Sequence, residues 1–220
     1  MIINMTTFAG RQKHYIDRTL ESLFKSDGRE VQVNLIAGSY DTSHIEQYRG
    51  VANIVPWDQA SQWQVRPGDL RQNCTVNAIR ALRYGDDDQC VCCEDDISFE
   101  KDWLSQLRLT IAEIERKDYV LNLGQGCDQS PNKRYATHTL PHLIGAQGIF
   151  YPSKSLRTAI AEFLLQNMHW GINDNLIGAY AKKYCALYNT TPMLVYHIGQ
   201  VSSFKKPGPP VRRRADLNPE

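Results

Sequence analysis

Short apolar runs alternate with longer amphipathic stretches along most of the chain. The short runs are rich in β-branched and aromatic residues, which indicates buried strands, and the longer stretches repeat apolar residues every three or four positions, as helices do. Strands that alternate with helices are typical of a doubly wound α/β domain with a mainly parallel sheet. We predict strands at 2–7, 31–37, 52–55, 90–93, 119–123 and 193–196, with one or two more inside 136–151, and helices at 15–24, 43–48, 70–84, 103–114, 155–166 and 173–184.

The predicted strand 90–93 leads directly into three consecutive carboxylates, Glu94, Asp95 and Asp96. In open α/β sheets the ligand binds at the carboxyl ends of the strands, so these side chains stand where a ligand would lie. Carboxylates this close repel one another unless water, a basic partner or a cation compensates them, and Mg²⁺ and Mn²⁺ prefer oxygen ligands. The acidic segment therefore predicts a divalent metal site, and a solvated acidic turn is the alternative.

The residues that begin with these acids resemble a known enzyme family. The segment Glu94–Trp103, EDDISFEKDW, is similar to the DxD-type element of nucleotide-sugar glycosyltransferases of the GT-A fold, in the Glu-Asp-Asp variant found in N-acetylglucosaminyltransferases. The resemblance implies an α/β fold, a single-domain GT-A (Rossmann-like) structure with a mixed, mainly parallel sheet flanked by helices. It also implies that Asp96 binds the Mn²⁺ or Mg²⁺ that bridges the donor diphosphate, and that Glu94 and Asp95 face the ribose or order the site.

The last predicted strand is followed by a second motif. Residues 197–204, HIGQVSSF, resemble the His-Ile/Val-Gly-x-x-Ser-Ser ending of the enzymes that add branching N-acetylglucosamine to N-glycans. The resemblance implies that His197 is a second metal ligand and that Ser202 and Ser203 donate hydrogen bonds to the donor phosphate. The alternative is a structural histidine that binds no metal.

The predicted helix 173–184 carries the candidate catalytic base. Asp174 lies at its start, where the helix dipole stabilises a carboxylate and where aspartate often caps the helix. The resemblance implies another role, because inverting glycosyltransferases of this family place their base at the start of such a helix beneath the acceptor. The sequence leaves both interpretations of Asp174 open.

The other candidates for donor binding lie in loops and helices that the resemblance places around the nucleotide. The loop after the first strand would hold the base and ribose, an acid after the second strand would accept a hydrogen bond from them, and small residues would let the donor sugar approach the main chain. For each residue a turn, a solvated side chain or close packing is the alternative, and a solvated helix face is favoured for Arg80. The candidates are Thr6, Thr7, Arg11, Asp41, Arg71, Asn77, Gly145 and Ala146.

Length and composition fit one domain. The 220 residues suffice for one α/β core and are too few for two domains of ordinary size, so we expect a GT-A domain at 1–204 and a basic, proline-rich tail at 205–220. A hydrophobic content of 42%, a charged content of 22% and a net charge of +1 exclude a globally basic nucleic-acid-binding protein. The basic residues within 205–214 could grip phosphate, and a solvated terminus is the alternative.

Cysteine usage and the absence of targeting segments favour a reducing compartment. The six cysteines do not indicate a disulfide framework, because three of them share one predicted strand, in which neighbours point to opposite faces. No apolar run approaches the roughly 20 residues of a membrane span, and the N-terminus lacks the features of a signal peptide. We therefore expect no membrane span and a cytoplasmic location in a bacterium or a phage-infected host.

Taken with the resemblance, these features predict a metal-dependent glycosyltransferase of the hexosyltransferase type. We expect transfer of a sugar from a nucleotide-diphosphate sugar, such as a UDP-sugar, to an acceptor hydroxyl with inversion. The acceptor would be a glycan or a hydroxymethylated base in phage DNA, and the base would have to be extruded or reached along a groove. The alternatives are a catalytically idle GT-A module that binds nucleotide and a metal-dependent nucleotide-sugar hydrolase.

Overall fold

The structure, a computed structural model, describes residues 1–8, 14–57, 70–124, 133–139, 143, 145 and 147–199, with only the backbone of residues 14, 70 and 71. Two strands, β5 (Ile97–Phe99) and β10 (Val195–His197), pair antiparallel in a small sheet. The large sheet contains β1 (Ile2–Thr7), β2 (Gln32–Ala37), β3 (Asn53–Val55), β4 (Cys90–Glu94), β6 (Tyr119–Asn122), β7 (Tyr135–Thr137), β8 (Gly148–Tyr151) and β9 (Ala186–Thr190). Its strand order is β3-β2-β1-β4-β8-β6-β9-β7.

The strand directions bring several loops to one edge of the large sheet. β1 pairs in parallel with β2 and β4, as β2 does with β3 and β6 with β9. β8 runs antiparallel to β4 and β6, and β7 runs antiparallel to β9. The carboxyl ends of the parallel strands therefore meet at the same edge as the beginning of β8, and we call this edge the carboxyl edge. The predicted mixed, mainly parallel sheet is confirmed.

Helices cover both faces of this sheet, as predicted. The helices are α1 (His14–Phe24), α2 (Leu70–Arg83), α3 (Trp103–Glu113), α4 (Lys154–Asn167) and α5 (Asn173–Tyr184). α1 and α3 contribute to one buried core, and α2, α4 and α5 contribute to the other. The alternation of side chains along β8 divides them between the two cores, since Phe150 enters the first whereas Ile149 and Tyr151 enter the second. Among the described helices, none combines the length and apolarity needed to cross a bilayer.

Buried asparagines help to hold α2 on the sheet. Asn34 Nδ2 donates to Asn4 Oδ1 at 2.8 Å, and Asn4 Nδ2 donates to the carbonyl oxygens of Ala81 and Tyr84 at 2.6 and 3.0 Å. Both asparagines are fully buried. A buried amide without a hydrogen-bond partner costs on the order of 1–3 kcal/mol of folding free energy. A shift of α2 relative to β1 would break these bonds and is therefore disfavoured. These bonds fix the last turn of α2 against β1.

Two of the three cysteines of β4, Cys90 and Cys93, are buried thiols, and Cys92 is partly exposed. Cys90 and Cys93 are inaccessible to solvent, and the described cysteines are all free. Burial raises the pKa of Cys93 well above its usual value, and the negative charges that follow in the chain act in the same direction. These thiols serve as small core residues under the acidic end of the strand.

The C-terminal part of the fold differs from the sequence prediction. The sequence predicts a last core strand at 193–196, whereas the strand observed is Val195–His197 and pairs with β5 in the small sheet. Before this strand, the backbone N–H of Leu194 donates to the carbonyl oxygen of Leu123 at 2.8 Å. Residue 194 thus lies beside the end of β6, and the strand that follows it, β10, lies beside β5. His197 is therefore the last residue of a strand that lies beside the turn after β4.

Other differences concern elements that are too short or too polar to produce a clear pattern. The helix predicted at 43–48 is a single 3₁₀ turn, Glu46–Tyr48. β5, which the sequence does not predict, has three residues, too few to show an alternating pattern. β9, also not predicted, carries the buried polar residues Asn189 and Thr190, and Asn122 Nδ2 donates to Asn189 Oδ1 at 3.2 Å. The predicted region 136–151 contains two strands, β7 at the edge of the sheet and β8 near its middle.

Candidate functional site

Three ligand-type side chains converge at the carboxyl edge. Glu94 is the last residue of β4, Asp96 lies in the turn that follows, and His197 ends β10. The antiparallel pairing of β5 with β10 places His197 opposite Ile97, so that His197 Nε2 lies 3.0 Å from Asp96 Oδ2. One potential ligand atom from each of the three residues lies within 4.8 Å of the others. The predicted metal ligands Asp96 and His197 are thus brought together, and Glu94 joins them.

The donor set and the space above it suit a divalent ion. Two carboxylates and an imidazole offer the oxygen and nitrogen ligands that Mn²⁺ accepts, and Mg²⁺ is usually held by one or two carboxylates. Asp96 is only 4% exposed, so its negative charge is largely removed from bulk water. Gly199 leaves room beside the cluster, since a Cβ there would collide with Asp96 Oδ2 and lie 2.8 Å from His197 Nε2. The residues present therefore fit a divalent metal ion.

The backbone around these acids is fixed from both sides. The N–H of Glu94 donates to the carbonyl oxygen of Gln147 at 3.2 Å, and the N–H of Ile198 donates to the carbonyl oxygen of Asp96 at 2.8 Å. Asp95 is buried, and its carbonyl oxygen lies 2.8 Å from the hydroxyl of Thr19 on α1. A solvated acidic turn, the alternative interpretation of the sequence, does not describe this arrangement.

Asp174 lies at the same edge of the sheet and is held by the segment before β8. It is the second residue of α5, whereas the N-cap position is occupied by Ile172, so Asp174 is not the capping residue. Its Oδ2 accepts a hydrogen bond from the N–H of Gly145 at 3.0 Å. Gly145 has a φ of +77°, a left-handed conformation that favours glycine. Gln147, two residues later, bonds Glu94, so one short segment connects the candidate base to the acidic cluster.

The candidates at the ends of β1 and β2 form a group beside the cluster. Thr6 Oγ1 donates to the carbonyl oxygen of Cys93 at 3.3 Å, and Thr7 Oγ1 lies 3.3 Å from Nε2 of His44. Asp41 is exposed in the loop after β2, and its Oδ1 accepts from the N–H of Ser43 at 2.9 Å, as in an Asx turn. Hydrogen bonds from the side chain and the backbone of Ser43 lower the pKa of Asp41. The Asx turn and a contact with a nucleotide are compatible, because the Asp41 side chain is exposed.

Asn77 and Arg80 on α2 connect the strand ends rather than extend into solvent. Asn77 is buried, and its Nδ2 donates to the carbonyl oxygen of Ile36 at 3.3 Å while its Oδ1 accepts from Arg80 at 3.1 Å. Arg80 also donates to the carbonyl oxygens of Ala37 and Pro56. The prediction that Arg80 occupies a solvated helix face is therefore wrong, because the guanidinium group ties the end of β2 to the end of β3. Asn77 lies near the predicted site, and both the Nδ2 and the Oδ1 of its side chain form hydrogen bonds within the protein.

Two aromatic side chains adjoin this group. Trp57 begins the loop 57–69, which the sequence predicts to border the donor site, whereas Tyr40 was not identified from the sequence. The guanidinium carbon of Arg80 lies 4.8 Å from the ring centroid of Trp57, and the ring of Trp57 lies edge-on to Tyr40, with centroids 6.1 Å apart. Tyr40 is 65% exposed and directly precedes Asp41. The signal that could have found it is an aromatic residue in a loop at the ligand-binding edge of an α/β sheet.

The remaining predicted site residues cannot be placed. Arg11, Ala146, Ser202 and Ser203 lie outside the described residues, as do the side chain of Arg71 and the predicted tail 205–220. Their assignments stay predictions.

Sequence comparisons give no match, since no family model matches the chain and no curated protein matches it. Solved structures do match. The crystal structure of S. aureus TarS 1–349 covers 90% of this chain at 19% identity with a TM-score of 0.56. The same fragment in complex with UDP-GlcNAc covers 93% at 20% identity, and its complex with UDP covers 89% at 20% identity, both with a TM-score of 0.56. The chain spans about 60% of the length of that fragment. The likeness shows the fold, which is of the predicted GT-A type.

Proposed function

We propose that the chain is a metal-dependent glycosyltransferase that transfers a sugar from a UDP-sugar to an acceptor hydroxyl with inversion. The observation that carries the proposal is the convergence of Glu94, Asp96 and His197 at the carboxyl edge, where α/β sheets of this kind bind their ligands. The TarS structures with UDP-GlcNAc and UDP support a nucleotide-sugar donor, because they share the fold.

Asp96 and His197 would hold Mn²⁺ or Mg²⁺, with Glu94 beside them. Bound there, the ion would act as a Lewis acid that stabilises the negative charge of the departing diphosphate. The protein keeps the two ligands in register through the β5–β10 pairing, which joins the turn after β4 to the end of the last strand. Burial of Asp96 and Asp95 keeps competing water away from this part of the site.

Asp174 would serve as the general base. Its Oδ2 is engaged by the N–H of Gly145, which fixes the orientation of the carboxylate. The carboxylate would take the proton of the acceptor hydroxyl, while the acceptor oxygen forms a bond to the anomeric carbon and the bond from that carbon to the diphosphate oxygen breaks. Attack from the face opposite the diphosphate gives inversion. UDP leaves with the bonding electron pair, and Asp174 returns its proton to water.

The nucleotide would lie over the ends of β1 and β2. Thr6 and Thr7 end β1, and Asp41 lies in the loop after the neighbouring strand β2. Arg11 and Arg71 are assigned to the same subsite from the sequence. Asn77 supports the region indirectly through its bonds to β2 and Arg80. The sugar would approach the main chain at residues 145–146, and Ser202 and Ser203 would contact the phosphates.

The reaction can be tested by measuring UDP release from UDP-GlcNAc and UDP-glucose with Mn²⁺, with Mg²⁺ and with EDTA. Each condition is run without acceptor, with oligosaccharides and with DNA that contains hydroxymethylated bases. Metal-dependent release that rises with one acceptor supports a transferase and identifies the acceptor as a glycan or as DNA. Release that is equally fast without any acceptor indicates a hydrolase. Binding of UDP without release from any donor indicates an idle nucleotide-binding module.

A further inference from the structure

One hydroxyl on α1 anchors the acidic turn, which we define as residues 94–97. Thr19 Oγ1 lies 2.8 Å from the carbonyl oxygen of Asp95, 2.6 Å from the carbonyl oxygen of Ile97 and 3.1 Å from the amide nitrogen of Ile97. A hydroxyl carries one proton, so it donates to one carbonyl at a time while it accepts from the Ile97 N–H. The three contacts bracket Asp96, because they engage the residue before it and the residue after it.

The opposite side of the turn is held by β10. The N–H of Ile198 donates to the carbonyl oxygen of Asp96 at 2.8 Å, directly after His197 in the chain. The acidic turn is therefore clamped between α1 and the end of β10, with Thr19 as the contact on the helix side. Thr19 is fully buried and Asp96 is 4% exposed, so water has little access to replace the hydroxyl if it is removed.

A neighbouring residue on α1 extends this contact along β5. Ser22 Oγ accepts from the N–H of Phe99 at 3.0 Å and donates to the carbonyl oxygen of Thr19 at 2.8 Å. Ser22 and Thr19 are three residues apart and lie on the same side of the helix. The edge of β5 that faces α1 is thus paired with hydroxyls, and Thr19 is the contact closest to Asp96.

We propose that Thr19 is a positioning residue for the metal site, an inference that rests on the proposed function. It holds the turn in the conformation that directs the Asp96 carboxylate toward His197 and Glu94. The recorded hydrogen bonds of the Thr19 hydroxyl all go to backbone atoms of Asp95 and Ile97, and none goes to a candidate metal-ligand atom. Residues that orient metal ligands without binding the metal typically change affinity by about 10–100-fold when removed.

The test compares Mn²⁺ binding by the full chain and its variants, measured calorimetrically without donor or acceptor. Thr19→Val keeps the shape and removes the hydroxyl, and Thr19→Ser keeps the hydroxyl. Thr110→Val is the matched control, because Thr110 is also buried and its hydroxyl donates only to the Gln106 carbonyl within α3, at 2.8 Å, among its recorded hydrogen bonds. Thermal unfolding of the metal-free proteins is measured in parallel to separate stability from affinity.

We expect Thr19→Val to raise the dissociation constant for Mn²⁺ about tenfold or more, Thr19→Ser to stay close to the original affinity, and Thr110→Val to leave it unchanged. Thr19→Ala provides the same comparison if the valine variant does not fold. Unchanged affinity in a folded variant that lacks the hydroxyl overturns the role of Thr19 and leaves the metal site standing. Absence of Mn²⁺ binding by the unaltered protein overturns the metal site itself, so the two failures are distinguishable.

Discussion

His197 Nε2 lies 3.0 Å from Asp96 Oδ2, although 101 positions separate the two residues in the chain. The β5–β10 pairing produces this contact, because it sets His197 opposite Ile97, the neighbour of Asp96. His197, which ends β10, and Asp96, which follows β4 and precedes β5, are thereby brought together at one end of the small sheet. The candidate metal site is the product of that pairing.

Asp96→Asn should abolish metal-dependent turnover. The substitution keeps the size of the side chain but removes the charge that would bind the ion, so we expect kcat/KM to fall about 100-fold or more. Mn²⁺ binding measured by calorimetry should fall with it. Asp86→Asn is the control, because Asp86 is an exposed carboxylate paired with Lys154 in the connection before β4, at the other edge of the sheet. Undiminished Mn²⁺ binding by the Asp96 variant would contradict its assignment as a ligand.

Gly199→Ala should weaken metal binding through crowding alone. A Cβ at this position would collide with Asp96 Oδ2 and approach His197 Nε2 to 2.8 Å, so both ligands must shift. We expect an affinity loss on the order of tenfold for Mn²⁺. The matched control is Gly50→Ala, since a Cβ at Gly50 meets no atom within 4 Å. Equal Mn²⁺ affinities for the two variants would show that the ion does not bind beside Gly199.

The sequence contains strong signals for the acids and weak ones for the groups that position them. Glu94, Asp95 and Asp96 are contiguous at the end of an apolar run, and the ligand-binding edge of an α/β sheet follows from that position alone. Thr19 and Arg80 give no comparable signal, because they contact backbone carbonyls of strands distant in the chain, Ile97 in β5 and Ala37 in β2 respectively. Such contacts depend on tertiary packing and leave no local pattern.

The same reason explains why the helices and long strands could be predicted more reliably than the small sheet. An element such as α4 shows several turns of apolar periodicity, whereas β5 and β10 have three residues each. Leu194, just before β10, connects the two sheets, because its N–H donates to the carbonyl oxygen of Leu123 after β6 and its carbonyl oxygen accepts from the N–H of Glu100 after β5. The position of His197 in a motif could be identified, but its distance from Asp96 could not.

Asp174→Asn should separate binding from transfer. The amide oxygen can still accept from the N–H of Gly145, but the side chain can no longer take a proton, so we expect the transfer rate to fall about 10²–10⁴-fold. Binding of UDP and Mn²⁺ should be retained. Asp118→Asn serves as the control, because Asp118 is an exposed residue that pairs with Arg116. Transfer at the original rate in the Asp174 variant would remove this residue as the base.

Arg157→Met should destabilise the fold without a direct effect on the site. Arg157 is fully buried, and its guanidinium donates to the carbonyl oxygens of Leu82 and Tyr84 at 2.8 and 3.1 Å, at the end of α2. Hydrogen bonds to a charged group contribute about 1.5–3 kcal/mol each, so we expect the free energy of unfolding to fall by about 3 kcal/mol or more in urea denaturation.

Arg83→Met is the matched control for this prediction. Arg83 forms a surface ion pair with Glu162, and such pairs contribute only about 0–1 kcal/mol. Similar losses of stability in both arginine variants would show that the carbonyl contacts of Arg157 carry little weight.

The small sheet also determines at what point during synthesis of the chain the candidate metal site can form. The eight strands described in the large sheet are complete in the chain by Thr190, but the imidazole that faces Asp96 comes seven residues later. During synthesis, the strands of the scaffold can therefore be complete before the third candidate ligand, His197, leaves the ribosome. A nascent chain that stops short of residue 197 would have the architecture of the large sheet and an incomplete candidate metal site.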